Sequence, residues 1–413
     1  MALTLKKLMV HDLAIGRATT LCDGRLTVNA ADLKTFLRER HPGIDDVEVG
    51  VARPGEATRI LCCKDVIQPS TKLSGSRPGE GARLVLEGVG VVTCGPIVGF
   101  QEGIIDMSGR GAECTPFSTL NLVVLEIRVV GGLSPADHEA LLRAAGLDAA
   151  DHVSRACADI QPQTSEPVLW DEVDPPAGLP RIACVYMVLS QGLLHDTYLM
   201  GKNAAEGLPL ALDPRVVIDA GLVSGNCVSA CDKNTTYHHR NSPVVAELLA
   251  GHGTRWNFAG MVVTNAATRL AGKERSATAA IELVRELKAN AAIVTKEGFG
   301  NPDADFMMLL GGLEAAGVKS VGITDEFAGT DGASQSLADA TPRADAIVST
   351  GNANERILLP PMQTVLGPLP DASRLAGGYP GSLKKDGSIE VELQAIMGAT
   401  NELGFSRLSC REI

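Results

Sequence analysis

Short runs in which apolar residues alternate with polar ones fill the first third of the chain, separated by glycine-bearing turns. That period of two predicts strands. Asp23-Gly24 lies between the runs 18–21 and 26–28 and predicts a hairpin. A helix follows, capped by Asn29, with Leu33, Phe36 and Leu37 on its buried face. Residues 47–52 and 58–66 read as strands joined at Pro54-Gly55, and the valine- and leucine-rich runs 84–94 and 120–130 as further strands. The glycine-dense stretch 95–111 reads as a functional loop, such as an interface, or as merely a tightly turned connection. Ser134-Pro135-Ala136-Asp137 starts a helix, with serine as N-cap and proline at the first helical position. The polar, proline-bearing run 161–177 reads as a linker, and 182–189 and 215–220 as buried strands.

Beyond residue 250 the pattern changes. Short apolar runs at 258–264, 291–295, 318–324 and 344–349 alternate with helical segments at 276–290, 304–316 and 333–340. Such alternation implies right-handed crossovers and a parallel sheet covered on both faces. Polar segments follow the strands: Asn265, then Lys296-Glu297-Gly298-Phe299-Gly300-Asn301, then Asp325-Glu326, then Gly351-Asn352-Ala353-Asn354. Ligands of such sheets sit at the carboxyl ends of the strands, so these loops are expected around one crevice. The expected fold is α/β, or α+β overall. A β-rich N-terminal domain covers 1–165, a linker with strands 166–226, and a C-terminal α/β domain with a mostly parallel sheet 227–413.

Composition narrows the function classes. A net charge of −12 without a basic tract argues against nucleic acid and anionic membranes as partners. Aromatics make up 3%, too few for a base-stacking platform. No run approaches the ~18 uncharged apolar residues of a membrane helix, and the N-terminus lacks the long apolar stretch of a signal peptide. The chain is expected in the cytoplasm, and its ten cysteines are therefore expected as reduced thiols. Neither a dinucleotide nor a P-loop fingerprint is present.

The densest chemistry lies in Gly225-Asn226-Cys227-Val228-Ser229-Ala230-Cys231-Asp232-Lys233-Asn234-Thr235-Thr236-Tyr237-His238-His239. Three readings fit it. In the first, Cys227 and Cys231 are small buried hydrophobes and the histidines polar surface. In the second, Cys227, Cys231 and a histidine hold a metal, although the spacing is no recognised zinc signature. In the third, the Cys227 thiol attacks the Asn226 carbonyl, and the peptide becomes a thioester that breaks between the two residues. That needs a strained backbone, which Gly225 permits, and a base, for which His238, His239 and Asp232 are candidates. Loss of the α-proton then expels the sulfur with the Asn226 acyl group. Tautomerisation and loss of ammonia leave a pyruvoyl group at residue 227.

Several blocks carry a resemblance: Gly95 with Phe100-Gln101-Glu102-Gly103-Ile104-Ile105-Asp106-Met107-Ser108-Gly109, then Thr115-Pro116-Phe117-Ser118, then Gly192-Leu193-Leu194-His195-Asp196-Thr197-Tyr198, and the whole of 225–239. Over essentially its full length the chain resembles the proprotein subunit of component B of glycine/sarcosine/betaine reductase. The related D-proline reductase proprotein has threonine before its processed cysteine, so Asn226 favours the glycine-type family. The resemblance implies cleavage between Asn226 and Cys227, with a pyruvoyl group derived from Cys227 as cofactor and no metal.

It also implies a hetero-oligomeric, anaerobic amino-acid reductase that splits the C–N bond of glycine or an N-methylated relative. A selenoprotein subunit of component B supplies the selenolate that attacks the substrate, component A takes the carboxymethyl product, and component C releases acetyl phosphate. The ketone would draw electrons from the C–N bond of a condensed amine and make nitrogen a better leaving group. A quaternary substrate calls for an aromatic cage, and the tryptophans are Trp170 and Trp256, the latter read as packing. Cys231 either assists processing or is structural.

His195 and Asp196 fall in a family block and either orient the precursor loop or bind substrate. Lys296, Glu297 and Asp325 stand at strand ends, as solvated loop charges or, for Lys296 and Asp325, as substrate-binding groups. The alternatives from other classes are an uncleaved scaffold homologue and a zinc-binding hydrolase.

Overall fold

The computed structural model describes residues 3–97, 102–170, 176, 178–192, 196–225, 233–344, 346–368 and 372–405. Helix accounts for 26% and strand for 37%, in several mixed sheets, which is the expected α+β class. Asp23 and Gly24 both take positive φ between the antiparallel strands Thr20–Cys22 and Arg25–Val28, as a two-residue hairpin turn requires. Asn29 caps the helix Ala30–Arg40 by accepting from Asp32 N–H, and Leu33 and Leu37 are buried. Ser134 caps Pro135–Arg155 in the same way.

The first half forms two main sheets. In one, the strands Thr164–Val168 and Gly81–Glu87 flank Leu3–Met9, and Ser70–Ser74 closes the edge. In the other, Gly103–Asp106, Thr58–Ile67, Val89–Cys94, Asn121–Val129 and Ile44–Ala52 lie side by side. The strand Thr364–Leu366, from the far end of the chain, also pairs with Thr58–Ile67. That strand is buried along its whole length, so its charged residues need internal partners. Arg59 makes a bidentate pair with Asp106 at 2.7 and 2.8 Å, Lys64 pairs with Glu102, and Asp65 accepts from Thr236.

The later sheet runs Leu210–Leu212, Asn257–Ala266, Arg181–Leu189, Ala291–Thr295, Lys319–Glu326, Ile347–Asn352. All neighbours are parallel except the edge strand Leu210–Leu212. Numbered by chain order, the parallel strands stand 2-1-3-4-5, one of the doubly wound arrangements. The helices Leu270–Glu286 and Asn301–Ala315 supply the crossovers.

Several expectations are corrected. Residues 215–220 are not a strand: Pro214–Ile218 is a short helix, because Asp213 caps it and Pro214 occupies its first position, overriding the β-branched Val216-Val217-Ile218. The helix expected over 333–340 does not form. Its N–H groups are taken from outside a helical ladder: Ser334 donates to Ala328 O, Ala333 to Asp331, Ala338 to Asp303 and Ala340 to Asp339. The run 84–94 is two strands in different sheets, broken at Gly88, where φ is +82° and a Cβ would meet Val10 O at 2.4 Å. The linker 161–177 contains the strand Thr164–Val168, stitched to Leu3–Met9. The loop 95–111 contains the strand Gly103–Asp106 and opens the helix Gly109–Glu113.

Candidate functional site

Asn226, Cys227, Cys231, Asp232 and His195 lie outside the described residues, so the site is built from what surrounds them. Leu222–Ser224 runs antiparallel to Thr197–Leu199, with Ser224 opposite Thr197. Gly225 N–H then donates to Asp196 O at 2.9 Å. A Cβ on Gly225 would stand 2.3 Å from that oxygen, so only glycine fits at the last residue before Asn226. The Asp196 carboxylate accepts from Gly192 N–H at 2.9 Å and Asn203 Nδ2 at 2.7 Å.

On the other side of 226–232 the described residues begin again at Lys233. Thr235 caps the helix Thr236–Arg240 through a capping box with His238: Thr235 Oγ1 accepts from His238 N–H, and His238 Nδ1 accepts from Thr235 N–H, both at 3.1 Å. The Nδ1 lone pair is thereby used, so the ring proton sits on Nε2. That Nε2–H is buried and has no hydrogen-bond partner among the described residues. The ring lies between Phe117 and Phe405, each with its centroid 4.8 Å away. His239 is equally buried, with Nδ1 3.1 Å from the Tyr186 hydroxyl and Nε2 3.8 Å from Glu297. Burial pushes His238 down to about 3 and His239 to about 4. Both rings are neutral.

Glu297 is the hub, and its reading as a solvated loop charge is corrected: it is 0% exposed. It accepts from Leu189 N–H at 2.8 Å, Thr197 Oγ1 at 2.8 Å, Asn234 N–H at 2.9 Å and Lys233 Nζ at 3.4 Å. Burial opposes the charged form, but the Lys233 ammonium and the donors outweigh it and hold the carboxyl below its ordinary value. Leu189 and Glu297 stand at the carboxyl ends of adjacent strands, where the chain order of the sheet reverses. A doubly wound fold opens its crevice there.

Lys296 and Asp325 are also wholly buried, not solvated. The Lys296 ammonium pairs with Asp303 and lies 3.9 Å from both Asp325 and Glu402. Its charge is committed internally. Next to Glu402, Asn401 Nδ2 donates to Asn234 Oδ1 at 2.6 Å, so the segment 396–403 lies over the site. The indole N–H groups of Trp170 and Trp256 donate to Phe258 O and Leu248 O, in packing roles.

Lys233, Thr197, Glu297 and Asn401 were not singled out as site residues in the sequence. Glu297 carried one usable signal, its place at a strand's carboxyl end beside Lys296. Asp65 carried none, since its partner Thr236 is 171 residues away. Thr236 N–H and Oγ1 both donate to Asp65, at 2.8 and 2.6 Å, and the same hydroxyl accepts from Ser224 N–H at 3.0 Å. Burial nevertheless pushes the Asp65 carboxyl up to about 7.

These groups give stability opposite pH dependences. The histidines fold neutral, while the unfolded chain protonates them near 6.5. Their contribution is complete above that value and is lost as pH falls, by roughly 2 kcal/mol each at about pH 5. Asp65 takes up its proton in the fold below about 7 but only near 3.8 when unfolded, so acidification in that window favours the fold. Between pH 7 and about 5, the melting temperature of Asp65→Asn should therefore fall more steeply than that of the parent, and that of His238→Asn less steeply. Equal slopes in all three would contradict this account.

The fold is a doubly wound α/β sheet joined to a mixed-sheet layer, with a buried polar site at the strand-order reversal. Proteins of this class bind and transform small ligands there. The chain belongs to the family of glycine/sarcosine/betaine reductase component B subunits, whose model matches residues 1–411. It is 46% identical to the glycine reductase complex component B subunits alpha and beta of Peptoclostridium acidaminophilum, with both chains covered completely. It is 42% identical to the sarcosine reductase complex component B subunit alpha of the same organism, again over all of both chains. A more distant likeness, 22% over 64% of this chain and 45% of the relative, is to the D-proline reductase proprotein of Acetoanaerobium sticklandii. No solved structure matches. No helix among the described residues is long and apolar enough to cross a membrane.

Proposed function

We propose that the chain is a precursor that cuts itself between Asn226 and Cys227 and becomes the pyruvoyl-bearing subunit of an amino-acid reductase. The observation that carries this reading is the treatment of the segment's two flanks. Gly225 is held where no side chain fits, and Lys233 and Asn234 are fixed to a buried carboxylate. A surface loop with no task needs neither device.

The cleavage balances without an oxidant. The Cys227 thiol adds to the Asn226 carbonyl, the C–N bond breaks, and the thiol proton ends on the released amine. Loss of the Cys227 α-proton then breaks Cβ–S, and the sulfur leaves with Asn226 as a thiocarboxylate. One water replaces the amine nitrogen, which departs as ammonia.

The described residues suit the product. Asn234 Nδ2 and His238 Nε2–H are buried donors with no hydrogen-bond partner among the described residues, the groups a keto oxygen requires. The ketone supplies an electrophile that no ordinary side chain offers. His238 and Asn234 would hold it by donation, and Asn401 would hold Asn234 in place. His238 acts here as a donor: its acceptor nitrogen is occupied and burial disfavours its charged form. The substrate is glycine or an N-methylated glycine, and the electrons for C–N cleavage come from a selenoprotein partner, with the product leaving by way of acetyl phosphate. The assembly is a cytoplasmic hetero-oligomer.

Intact mass under denaturing conditions tests the reading. Two fragments are expected, 1–226 and 227–413, the second blocked at its N-terminus. Without denaturant they should co-elute, because Arg181–Leu189 of the first is a central strand among strands of the second. An active complex containing one unbroken chain would overturn the proposal.

A further inference from the structure

One carboxylate meets both sides of the segment to be cut. On the incoming side, Ser224 pairs with Thr197, whose hydroxyl donates to Glu297 Oε2 at 2.8 Å. On the outgoing side, Asn234 N–H donates to Glu297 Oε1 at 2.9 Å, and the Lys233 ammonium lies 3.4 Å from the same oxygen. The ammonium also donates to Thr197 Oγ1 at 2.9 Å, closing a ring of three buried side chains. Leu189 N–H, at 2.8 Å, ties that ring to the end of the Arg181–Leu189 strand.

We propose that Glu297, with Thr197 and Lys233, is a positioning clamp for self-processing: it ties the residues that flank 226–232 on both sides to one carboxylate. The inference rests on the self-cleavage reading above. Segment ends left free let the chain between them sample many conformations, whereas a reactive geometry is one of few. The chemistry selects a carboxylate, since only that side chain is acceptor-only at two oxygens and can take all these donors. Lys233 supplies the countercharge that keeps it ionised in a site closed to water. Glu297 is therefore assigned a positioning role, through the residues on either side of 226–232. The clamp also spans the cut, with Thr197 on one fragment and Lys233 and Glu297 on the other.

The test follows cleavage of the full chain made by cell-free translation, by intact mass against time, for Thr197→Val, Thr197→Ser and Glu297→Gln. Melting temperatures are measured on the same substitutions in a Cys227→Ala background, which cannot cleave. Thr197→Val and Glu297→Gln are expected to slow cleavage about 100-fold, the size of a misplacement of reacting groups by roughly an ångström. Thr197→Ser should restore most of the rate, while Thr197→Val in the uncleavable background melts close to its parent. A purely structural threonine would move rate and melting temperature together, and that result overturns the clamp. So does a parent that cleaves alongside a Thr197→Val chain at the same rate, or a Thr197→Ser as slow as Thr197→Val. Should Glu297→Gln fail to fold, the Thr197 pair still decides. A parent that never cleaves defeats the underlying reading instead.

Discussion

Replacing Cys227 with alanine is expected to leave a single chain of 43.1 kDa and no reductase activity, however long the protein is incubated. The argument is chemical. Alanine has no nucleophile for the Asn226 carbonyl and no leaving group at Cβ, so neither the acyl shift nor the elimination can start. Cys231→Ala should still cleave, because Cys231 supplies no atom to either step. Denaturing mass spectrometry separates the outcomes, and complete cleavage of the Cys227→Ala chain would put the scissile bond elsewhere. The chain should still fold, since none of the hydrogen bonds that join Glu297, Lys233, Thr197 and Asn234 comes from the Cys227 side chain.

Lys296→Met should act on the fold first. The Lys296 ammonium is buried among Asp303, Asp325 and Glu402, and without it those carboxylates face one another out of water. Breaking a buried pair costs about 3–5 kcal/mol, comparable with much of a domain's whole stability. The loss reaches the site as well: Glu402 adjoins Asn401, which holds Asn234, and Thr400 donates to Asp325 at 3.2 Å. Soluble yield and the urea midpoint of the chain are the measurements. Adding Asp303→Asn to Lys296→Met should recover part of the loss. A Lys296→Met protein of unchanged midpoint that bound substrate weakly would instead return Lys296 to the substrate site.

The difference between Lys296 and His238 shows what was legible beforehand. Both were marked as candidates in the sequence. His238 was marked because it sits in the same dense block as Cys227, but neither its burial nor the capping that occupies its Nδ1 was visible there. Lys296 was placed at a strand's carboxyl end by the alternation of strand and helix, and that position is right. Its role was not visible, because Asp325 and Glu402 come from far along the chain. One of the missed elements has the same cause. The run 333–340 has helical composition, but Asp303 and Ala328 offer its N–H groups other acceptors. At 215–220, valine and isoleucine argued for a strand, and the capping of Asp213 and Pro214 argued better.

By itself, the sequence determined the parts set by neighbours along the chain: the hairpin at Asp23-Gly24, the helices capped by Asn29 and Ser134, and the later strand–helix alternation. Tertiary structure alone decided which charges are buried and against what, from Arg59–Asp106 to the Lys296 cluster, and that Glu297 meets Thr197 as well as Lys233 and Asn234. The reason is physical. Capping, turn geometry and periodicity are interactions over a few residues, whereas the ionisation and partners of a buried side chain depend on groups that only folding brings within hydrogen-bond reach.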